Sequence, residues 1–226
     1  MKCDFHIHSS YSFDSNASPK EIVDKAIQEG IDCIAITDHG EIEGAFEAIE
    51  YAKGKPILII PGIEIKSKEG DILGLNIKEK IPDKLSAKET IQKIKEQGGF
   101  VVIPHPFGLF CKFKGNLKEL IKEIDALEVL NASVFGRGNE IAQKFAKENN
   151  LPFTVGSDSH SLSLIGKCYL EIPGENLSIG EVLEKIKNQE GKIKGRGVDF
   201  FEKIIIHCQR GFVKIKKYVR GKKRKI

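Results

Sequence analysis

Apolar strand-like runs alternate with amphipathic helix-like segments along most of this chain, and this alternation restricts the possible folds more than any other feature. Residues 33–36 and 100–103 are apolar without interruption, and a helix-like segment follows each of them. Ser18, Ser86 and Ser178 each begin a Ser-x-x-Glu capping box, which predicts three helix N-termini. Continuous apolar strands, each followed by a helix, indicate an α/β fold with a parallel sheet covered on both faces. Roughly seven such units fit a small, imperfect βα barrel, with an open doubly wound sheet as the alternative.

Residues 209–226 form a basic tail that differs in charge from the rest of the chain. The tail holds nine Lys and Arg and no acid, whereas the first 208 residues hold 27 Lys and Arg against 32 Asp and Glu. Apolar residues recur at helix-like intervals from residue 198 to residue 219. We therefore predict one body over residues 1–195 and a basic amphipathic C-terminal extension over residues 196–226. Three interpretations of the extension stay open: a helix packed on the barrel, a nucleic-acid contact through phosphates, or a contact with an anionic membrane surface.

The pattern of cysteines and apolar residues predicts a cytoplasmic protein. No apolar run approaches the roughly 20 residues that a transmembrane helix needs, and the N-terminus leads directly into a strand-like segment without a signal peptide. The five cysteines are scattered, with no CxxC pair. We therefore expect reduced thiols, most of them buried.

Histidines and carboxylates follow the predicted strands at the points where those strands end. His6 and His8 are two residues apart on the first strand, so that both side chains point to one face. Each of these histidines, taken alone, is compatible with a packed core residue. A carboxylate such as Glu64 at the end of an apolar strand needs a cation or strong hydrogen bonds, because burial of an unpaired charge is costly. The residues predicted to gather at one mouth of the barrel are His6, His8, Asp14, His39, Glu64, His105, Asp158 and His160.

This set of side chains predicts a centre of two or three divalent metal ions. Five histidines and three carboxylates exceed what one ion requires, and Glu64 is placed to bridge two ions. Mixed imidazole and carboxylate ligands suit Zn²⁺, Mn²⁺ or Fe rather than Mg²⁺. Adjacent ions lower the pKa of a shared water and hold an anionic substrate, which makes phosphoesters the expected target.

The order of these motifs resembles the PHP (polymerase and histidinol phosphatase) family. The matching segments are Asp4-x-His6-x-His8-Ser9, Asp14, Ile36-Thr37-Asp38-His39, Pro61-Gly62-Ile63-Glu64, Pro104-His105-Pro106, Leu127-Glu128-Val129-Leu130-Asn131 and Gly156-Ser157-Asp158-Ser159-His160. The resemblance implies a distorted (β/α)7 barrel, similar to a TIM barrel, and metal-dependent hydrolysis of phosphoesters. It also implies the ligand sets: His6, His8, Glu64 and Asp158 for one ion, Glu64 and His105 for a second, and Asp14, His39 and His160 for a third.

One segment departs from the histidinol-phosphatase-like members of that family. Those members have a further histidine where this chain offers Glu128 and Asn131. By resemblance to smaller members that act on nucleotide phosphoesters, Asn131 is predicted to take the place of that ligand. Arg137 resembles an arginine that those members place near the phosphate, and a solvent-exposed role is its alternative.

The leading functional hypothesis is a metal-dependent phosphoesterase for a small nucleotide-type phosphomonoester or phosphodiester. Glu64 is then a catalytic ligand, Arg137 orients the substrate, and His39 or His160 delivers a proton to the leaving group. Three alternatives remain: a histidinol-phosphate phosphatase, a PHP module that joins DNA or RNA processing through the basic tail, and an inert metal-binding scaffold.

Overall fold

The structure is a computed structural model that describes residues 1–109 and 111–223. The strands of the described chain are β1 (Lys2–Ile7), β2 (Cys33–Ile36), β3 (Leu58–Lys66), β4 (Asp71–Leu75), β5 (Phe100–Ile103), β6 (Ala126–Asn131), β7 (Phe153–Gly156), β8 (Cys168–Glu171) and β9 (Lys192–Gly195). The α-helices are α1 (Pro19–Gln28), α2 (Glu43–Ala52), α3 (Ala87–Glu96), α4 (Leu117–Leu120), α5 (Gly138–Glu148), α6 (Ile179–Lys187) and α7 (Phe200–Lys223), and a 3₁₀ turn covers Leu162–Leu164.

The strands form one sheet that bends into a nearly closed barrel. Their order is β7-β6-β5-β4-β3-β2-β1-β8-β9, and β4, β8 and β9 run antiparallel to their neighbours. The barrel closes where the chain after β7 meets β1: Ile7 and Ser159 form a parallel bridge, and the His8 N–H donates to the Ser159 carbonyl at 2.9 Å. The predicted distorted barrel and helical tail are confirmed. The sheet has more strands than the expected seven because antiparallel strands join it between and beside the parallel units.

Both faces of the sheet are buried, which explains the uninterrupted apolar strands. On β2, Ile34 and Ile36 join the core beneath the helices, whereas Cys33 and Ala35 face the second core inside the barrel. All four residues of β2 are fully buried. A strand between two cores has no solvent-facing positions and therefore no polar alternation.

Three of the helices begin as the sequence predicts. The hydroxyls of Ser18, Ser86 and Ser178 each accept from the backbone N–H three residues later, and a Glu at that position returns a bond to the capping residue. These capping boxes satisfy donors that the first helical turn leaves unpaired. They fix where α1, α3 and α6 begin.

The basic extension forms the long helix α7 over Phe200–Lys223. The Arg210 guanidinium on this helix reaches Asp14 on the loop between β1 and α1. The helix therefore lies against the barrel at the rim where the predicted ligands are. Among the described helices, none combines the length and the apolar character that crossing a bilayer would require.

Candidate metal centre

The predicted metal ligands converge at one mouth of the barrel. β1 carries His6 and is followed directly by His8, while β3 carries Glu64. The others lie in the segments that follow β1, β2, β5 and β7, where parallel strands end at the same rim. Seven of the eight are at least nine-tenths buried, whereas His39 keeps 24% of its side chain exposed. His39 is therefore the ligand candidate nearest to solvent.

Four side chains surround the first candidate position. Nε2 of His8 lies 3.3 Å from Oε2 of Glu64 and 3.4 Å from Oδ1 of Asp158. Nε2 of His6 is 3.6 Å and 3.7 Å from the same two oxygens, and 3.1 Å from Nε2 of His8. Two ligands about 2.1 Å from one tetrahedral ion are about 3.4 Å apart. These separations are therefore the ones that a shared cation requires.

Glu64 also faces the second candidate position through its other oxygen. Oε1 lies 3.1 Å from Nε2 of His105, while Oε2 lies 2.9 Å from Nδ1 of His39. The ligand atoms of His6, Glu64 and His105 all lie within 4.8 Å of one another. Glu64 thus contacts the side chains of all three groups, as a bridging carboxylate would.

The third candidate position contains buried polar atoms with no hydrogen-bond partner. These atoms are Oδ1 of Asp14, Nε2 of His39 and Nε2 of His160. The Asp14 oxygen lies 3.5 Å from the His39 nitrogen and 3.3 Å from the His160 nitrogen. Buried polar atoms are almost always satisfied, and leaving three of them unpaired in one place is costly. A cation between them satisfies all three.

Hydrogen bonds made by Nδ1 of His6, His105 and His160 turn the Nε2 atom of each ring toward the cluster. Nδ1 of His6 donates to Glu128 at 3.0 Å, and Nδ1 of His105 and His160 donate to the carbonyls of Cys111 and Asp158 at 3.1 Å and 3.0 Å. Since these acceptors carry no proton, each Nδ1 must supply one. The neutral ring then presents a lone pair at Nε2, which is the arrangement found around protein-bound metals.

His8 is oriented through a serine. Nδ1 of His8 lies 3.1 Å from the Ser12 hydroxyl, which donates at 2.6 Å to the buried carboxylate of Asp38. Because that hydroxyl proton goes to Asp38, Ser12 accepts from the imidazole. The described side-chain bonds of Asp38 run to Ser9 and Ser12, and the Ser12 hydroxyl in turn accepts the backbone N–H of His39 at 3.1 Å.

The donor set therefore fits divalent cations. A cation would satisfy two features of the site. One is the set of unpaired atoms around Asp14, and the other is the pair of Nε2 atoms of His6 and His8, which lie 3.1 Å apart. Imidazole nitrogens together with carboxylate oxygens suit Zn²⁺, Mn²⁺ or Fe. His6, His8, Glu64 and Asp158 would hold one ion, and the groups around His105 and Asp14 would hold the others.

The charges within the cluster raise the pKa values of His6 and His39 and lower that of His8. Burial opposes charge on His6, but the charges of Glu128, Asp158 and Glu64 outweigh it and raise the pKa of His6 well above its usual value. For His39, burial is likewise outweighed by the charge of Glu64 and by Asp14, and the pKa is about 10. Burial together with the neighbouring charges of His160 and His39 lowers the pKa of His8.

The carboxylates of the cluster respond in the opposite sense. Burial alone would raise the pKa of Glu64, but the charges of His39 and His6 hold it well below its ordinary value. Asp158 behaves in the same way, because burial is outweighed by the charge of His6 and by the adjacent ring of His8, whose Nε2 lies 3.4 Å from Oδ1. The carboxylates thus stay ionised and available as ligands.

The backbone at the mouth adopts conformations that few residues tolerate. His105 has φ 32° and Asp158 has φ 48°, in the left-handed region that disfavours side chains. Gly156 allows a close approach: a Cβ atom there would lie 2.4 Å from Cβ of His6 and 2.6 Å from Oε1 of Glu128. Strain of this kind is retained mainly where geometry at a site requires it.

Asn131 and Arg137 are placed differently from the other predicted residues. The Asn131 amide donates to Glu128 at 2.9 Å, and its oxygen accepts from the Ser133 N–H at 2.9 Å. Arg137 is 85% exposed and pairs with Glu140 at 3.1 Å. A ligand role for Asn131 and a substrate role for Arg137 stay predictions.

Two residues near the centre carry roles that the sequence analysis did not assign. Glu128 binds His6 through one oxygen and accepts the His105 N–H at 2.7 Å through the other. A carboxylate within the apolar β6 segment was the available signal, since a buried acid needs partners. Arg210 on α7 donates to Oδ2 of Asp14 at 2.6 Å. It lies 196 positions from Asp14 in the chain, and no local pattern connects the two residues.

Comparisons with known proteins agree with this geometry. The family model of the PHP domain matches residues 4–161, and that of a PHP-associated region matches residues 136–190. An uncharacterized protein of Methanocaldococcus jannaschii is 41% identical over 142 residues, which cover 58% of this chain and 82% of that protein. A second uncharacterized protein of that organism is 30% identical over 185 residues, or 78% and 73% of the two chains.

A solved structure shows the same fold. A two-domain protein of Bacteroides vulgatus, described as containing a predicted PHP-like metal-dependent phosphoesterase, superposes with a TM-score of 0.74 at 22% identity. The match covers 87% of this chain and 65% of that one. Because the family model spans most of the chain and carries the ligand motifs, the resemblance predicted from sequence is confirmed. The chain belongs to the PHP domain family of metal-dependent phosphoester hydrolases.

Proposed function

We propose that this protein hydrolyses small phosphorylated substrates, namely nucleotide-type phosphomonoesters or phosphodiesters, with two or three divalent ions as cofactors. The observation that carries the proposal is the set of three adjoining ligand groups, each with ligand atoms close enough to hold one ion, whose side chains Glu64 contacts. When bound, such ions supply Lewis acidity toward a phosphoryl group. They also lower the pKa of water, so that hydroxide is available to attack that group at neutral pH. Glu64 would be a ligand to adjacent ions.

The orientation of the histidines favours roles as metal ligands. His39 and His160 turn Nε2 toward Oδ1 of Asp14, which favours ligation over proton delivery, because a nitrogen that binds an ion carries no proton to donate. Glu128 keeps the proton of His6 on Nδ1, and Ser12 does the same for His8. These bonds fix the rings before a substrate arrives, so that little reorganisation is needed during the reaction.

Histidinol phosphate is the second candidate substrate. A probable histidinol-phosphatase of Thermotoga maritima is 28% identical over 211 residues, which cover 76% of this chain and 90% of that protein. The Glu128 and Asn131 segment, which offers no histidine, favours the nucleotide-type substrates. Equal turnover of both classes would leave the metal chemistry intact but refute the substrate assignment.

Nucleic-acid processing through the basic tail is the third candidate. A 5'-3' exoribonuclease of Haemophilus influenzae is 35% identical over 100 residues, which cover 42% of this chain and 36% of that protein. However, three tail cations, Arg210, Lys214 and Lys217, contact the barrel loop that carries Asp14. This orientation favours a role at the barrel mouth over a free nucleic-acid arm.

We also propose a cytoplasmic location. The five cysteines are free, and Cys3, Cys33 and Cys168 are buried. Cys3 and Cys33 are register partners on adjacent strands and are nevertheless unbonded. Free thiols of this kind are typical of a reducing compartment.

The test is a screen of phosphomonoesters and phosphodiesters with the Mn²⁺-loaded protein, accompanied by elemental analysis. We expect Glu64→Gln and His105→Ala to lose both turnover and bound metal. Glu175→Gln is the matched control, because that side chain is exposed on a loop away from the mouth. Unchanged turnover in Glu64→Gln would refute the proposed metal chemistry.

A further inference from the structure

Helix α7 presents three cations along one face to the loop that carries Asp14. Arg210, Lys214 and Lys217 are spaced i, i+4 and i+7, which places them on one side of a helix. Lys217 Nζ donates to the carbonyls of Ser10 and Ser12 at 2.7 Å and 2.5 Å. Lys217 therefore fastens the helix to the loop, and the other two cations lie closer to the metal ligands.

The two oxygens of Asp14 face different partners. Oδ1 faces His39 and His160 in the third candidate position, whereas Oδ2 accepts from Nη2 of Arg210 at 2.6 Å and lies 3.6 Å from Nζ of Lys214. Arg210 therefore leaves the oxygen that faces the ion free. It holds the carboxylate in the orientation that a ligand with one bound oxygen needs.

Arg210 has further donors that Asp14 does not use. A guanidinium carries five N–H groups in a rigid plane, and one of them serves Asp14 in this contact. The side chain lines a cavity of about 520 Å³ together with His160, Ser161 and Asn16. This volume is in the range of small-molecule sites. The cavity thus lies between a ligand histidine and a cation with donors to spare.

The chemistry of this cavity fits a phosphate group. A forked guanidinium matches two phosphate oxygens, and charge-assisted bonds of this type are the strong ones. Beside the cavity, Lys214 places a second cation 3.6 Å from Oδ2 of Asp14, the oxygen that Arg210 binds. By contrast, Arg137 is mostly exposed and paired with Glu140. Among the described arginines, Arg210 is the one that contacts a predicted metal ligand.

We propose that α7 completes the active site: Arg210 binds the phosphoryl oxygens of the substrate while it positions Asp14, and Lys214 supplies a second cation. The helix then covers one side of the mouth and restricts substrates to small phosphate esters. This inference rests on the proposed phosphoesterase function. Its main rivals are a helix that only inhibits by covering the mouth and an arm that binds nucleic acid.

The test measures binding of inorganic phosphate to the full-length Mn²⁺-loaded protein by calorimetry, alongside steady-state kinetics and metal content. We expect Arg210→Ala to weaken phosphate binding by about 10- to 100-fold, the range for losing charge-assisted hydrogen bonds. Arg210→Lys keeps the charge but loses the fork, and an intermediate affinity is expected. Lys216→Ala, at an exposed cation on the same helix, should bind phosphate as the wild type does.

Lys214→Ala separates phosphate binding from the positioning of Asp14. If Arg210→Ala also loses an ion, Lys214→Ala should still weaken phosphate binding by about 3- to 10-fold at full metal content. Wild-type affinity in Lys214→Ala, combined with ion loss in Arg210→Ala, would overturn the assignment of a phosphate site.

Other outcomes overturn the inference in distinguishable ways. If Arg210→Ala raises kcat/KM, the helix is an inhibitory cover. If phosphate binding is unchanged in Arg210→Ala while Glu64→Gln is inactive, the phosphoesterase function stands and the role of α7 falls. If the wild type neither hydrolyses an ester nor binds phosphate at full metal content, both proposals fail together.

Discussion

The stability of this protein should depend on pH with opposite signs in the metal-free and metal-loaded states. In the metal-free protein, nearby carboxylates outweigh burial and raise the pKa values of His6 and His39 above the unfolded value of 6.5, and the hydrogen bond to Cys111 together with Glu64 raises the pKa of His105. A raised pKa stabilises the fold fully below pH 6.5, and this stability is lost as pH rises toward the folded pKa. The metal-free protein should therefore become less stable between pH 6.5 and pH 8.5.

The magnitude follows from the pKa of His39, which is raised from 6.5 to about 10. Deprotonation of the unfolded state over this interval removes about 2 kcal/mol of stability for one such group. His6 and His105 act in the same direction. His8, whose pKa is lowered, returns only about 0.4 kcal/mol. For a domain of this size, 2 kcal/mol corresponds to a fall in Tm of about 4–8 °C.

Metal loading should reverse this trend. An ion displaces the protons from the histidines, so that its affinity rises with pH, and a tighter ligand stabilises the fold further. The assay is thermal unfolding of chelator-treated and Mn²⁺-loaded protein at pH 6.5, 7.5 and 8.5. The Tm difference between the two states should widen with pH. His39→Asn is the control, because it should reduce the metal-free slope by the share of His39. A metal-free Tm that stays constant or rises across this range would refute the reasoning.

Three further changes test individual contacts. Glu128→Gln should weaken metal affinity by about 10- to 100-fold in a chelator competition, because an amide N–H facing Nδ1 of His6 favours the wrong tautomer; unchanged affinity would contradict the role of Glu128. Gly156→Ala should cost about 1–3 kcal/mol in denaturant unfolding and reduce bound metal, since its Cβ would meet His6 and Glu128. Gly180→Ala, with open space in α6, should be neutral or stabilising by comparison. Ser178→Ala should lower stability by about 1 kcal/mol through the lost cap, with metal content and turnover unaffected.

Local physics made the barrel units and most of the ligand set predictable from the sequence. Capping boxes and uninterrupted apolar runs depend on neighbouring residues, and they are visible in the chain itself. The rule that parallel strands end at one rim then brought His6, Glu64 and His105 together without any coordinates. β9 was not predicted, because Lys192 and Lys194 make it a polar edge strand that lacks the apolar pattern of the other strands.

The relations between distant segments required the tertiary structure. Three contacts depend on how separate segments pack. Glu128 accepts the Nδ1 proton of His6, Ser12 accepts that of His8, and Arg210 donates to Asp14. The sequence determined which chemistry the barrel mouth can perform, because residue type and strand position are local properties. Only the tertiary structure decided that Arg210 lies at the barrel mouth, since the placement of α7 follows from packing between distant segments.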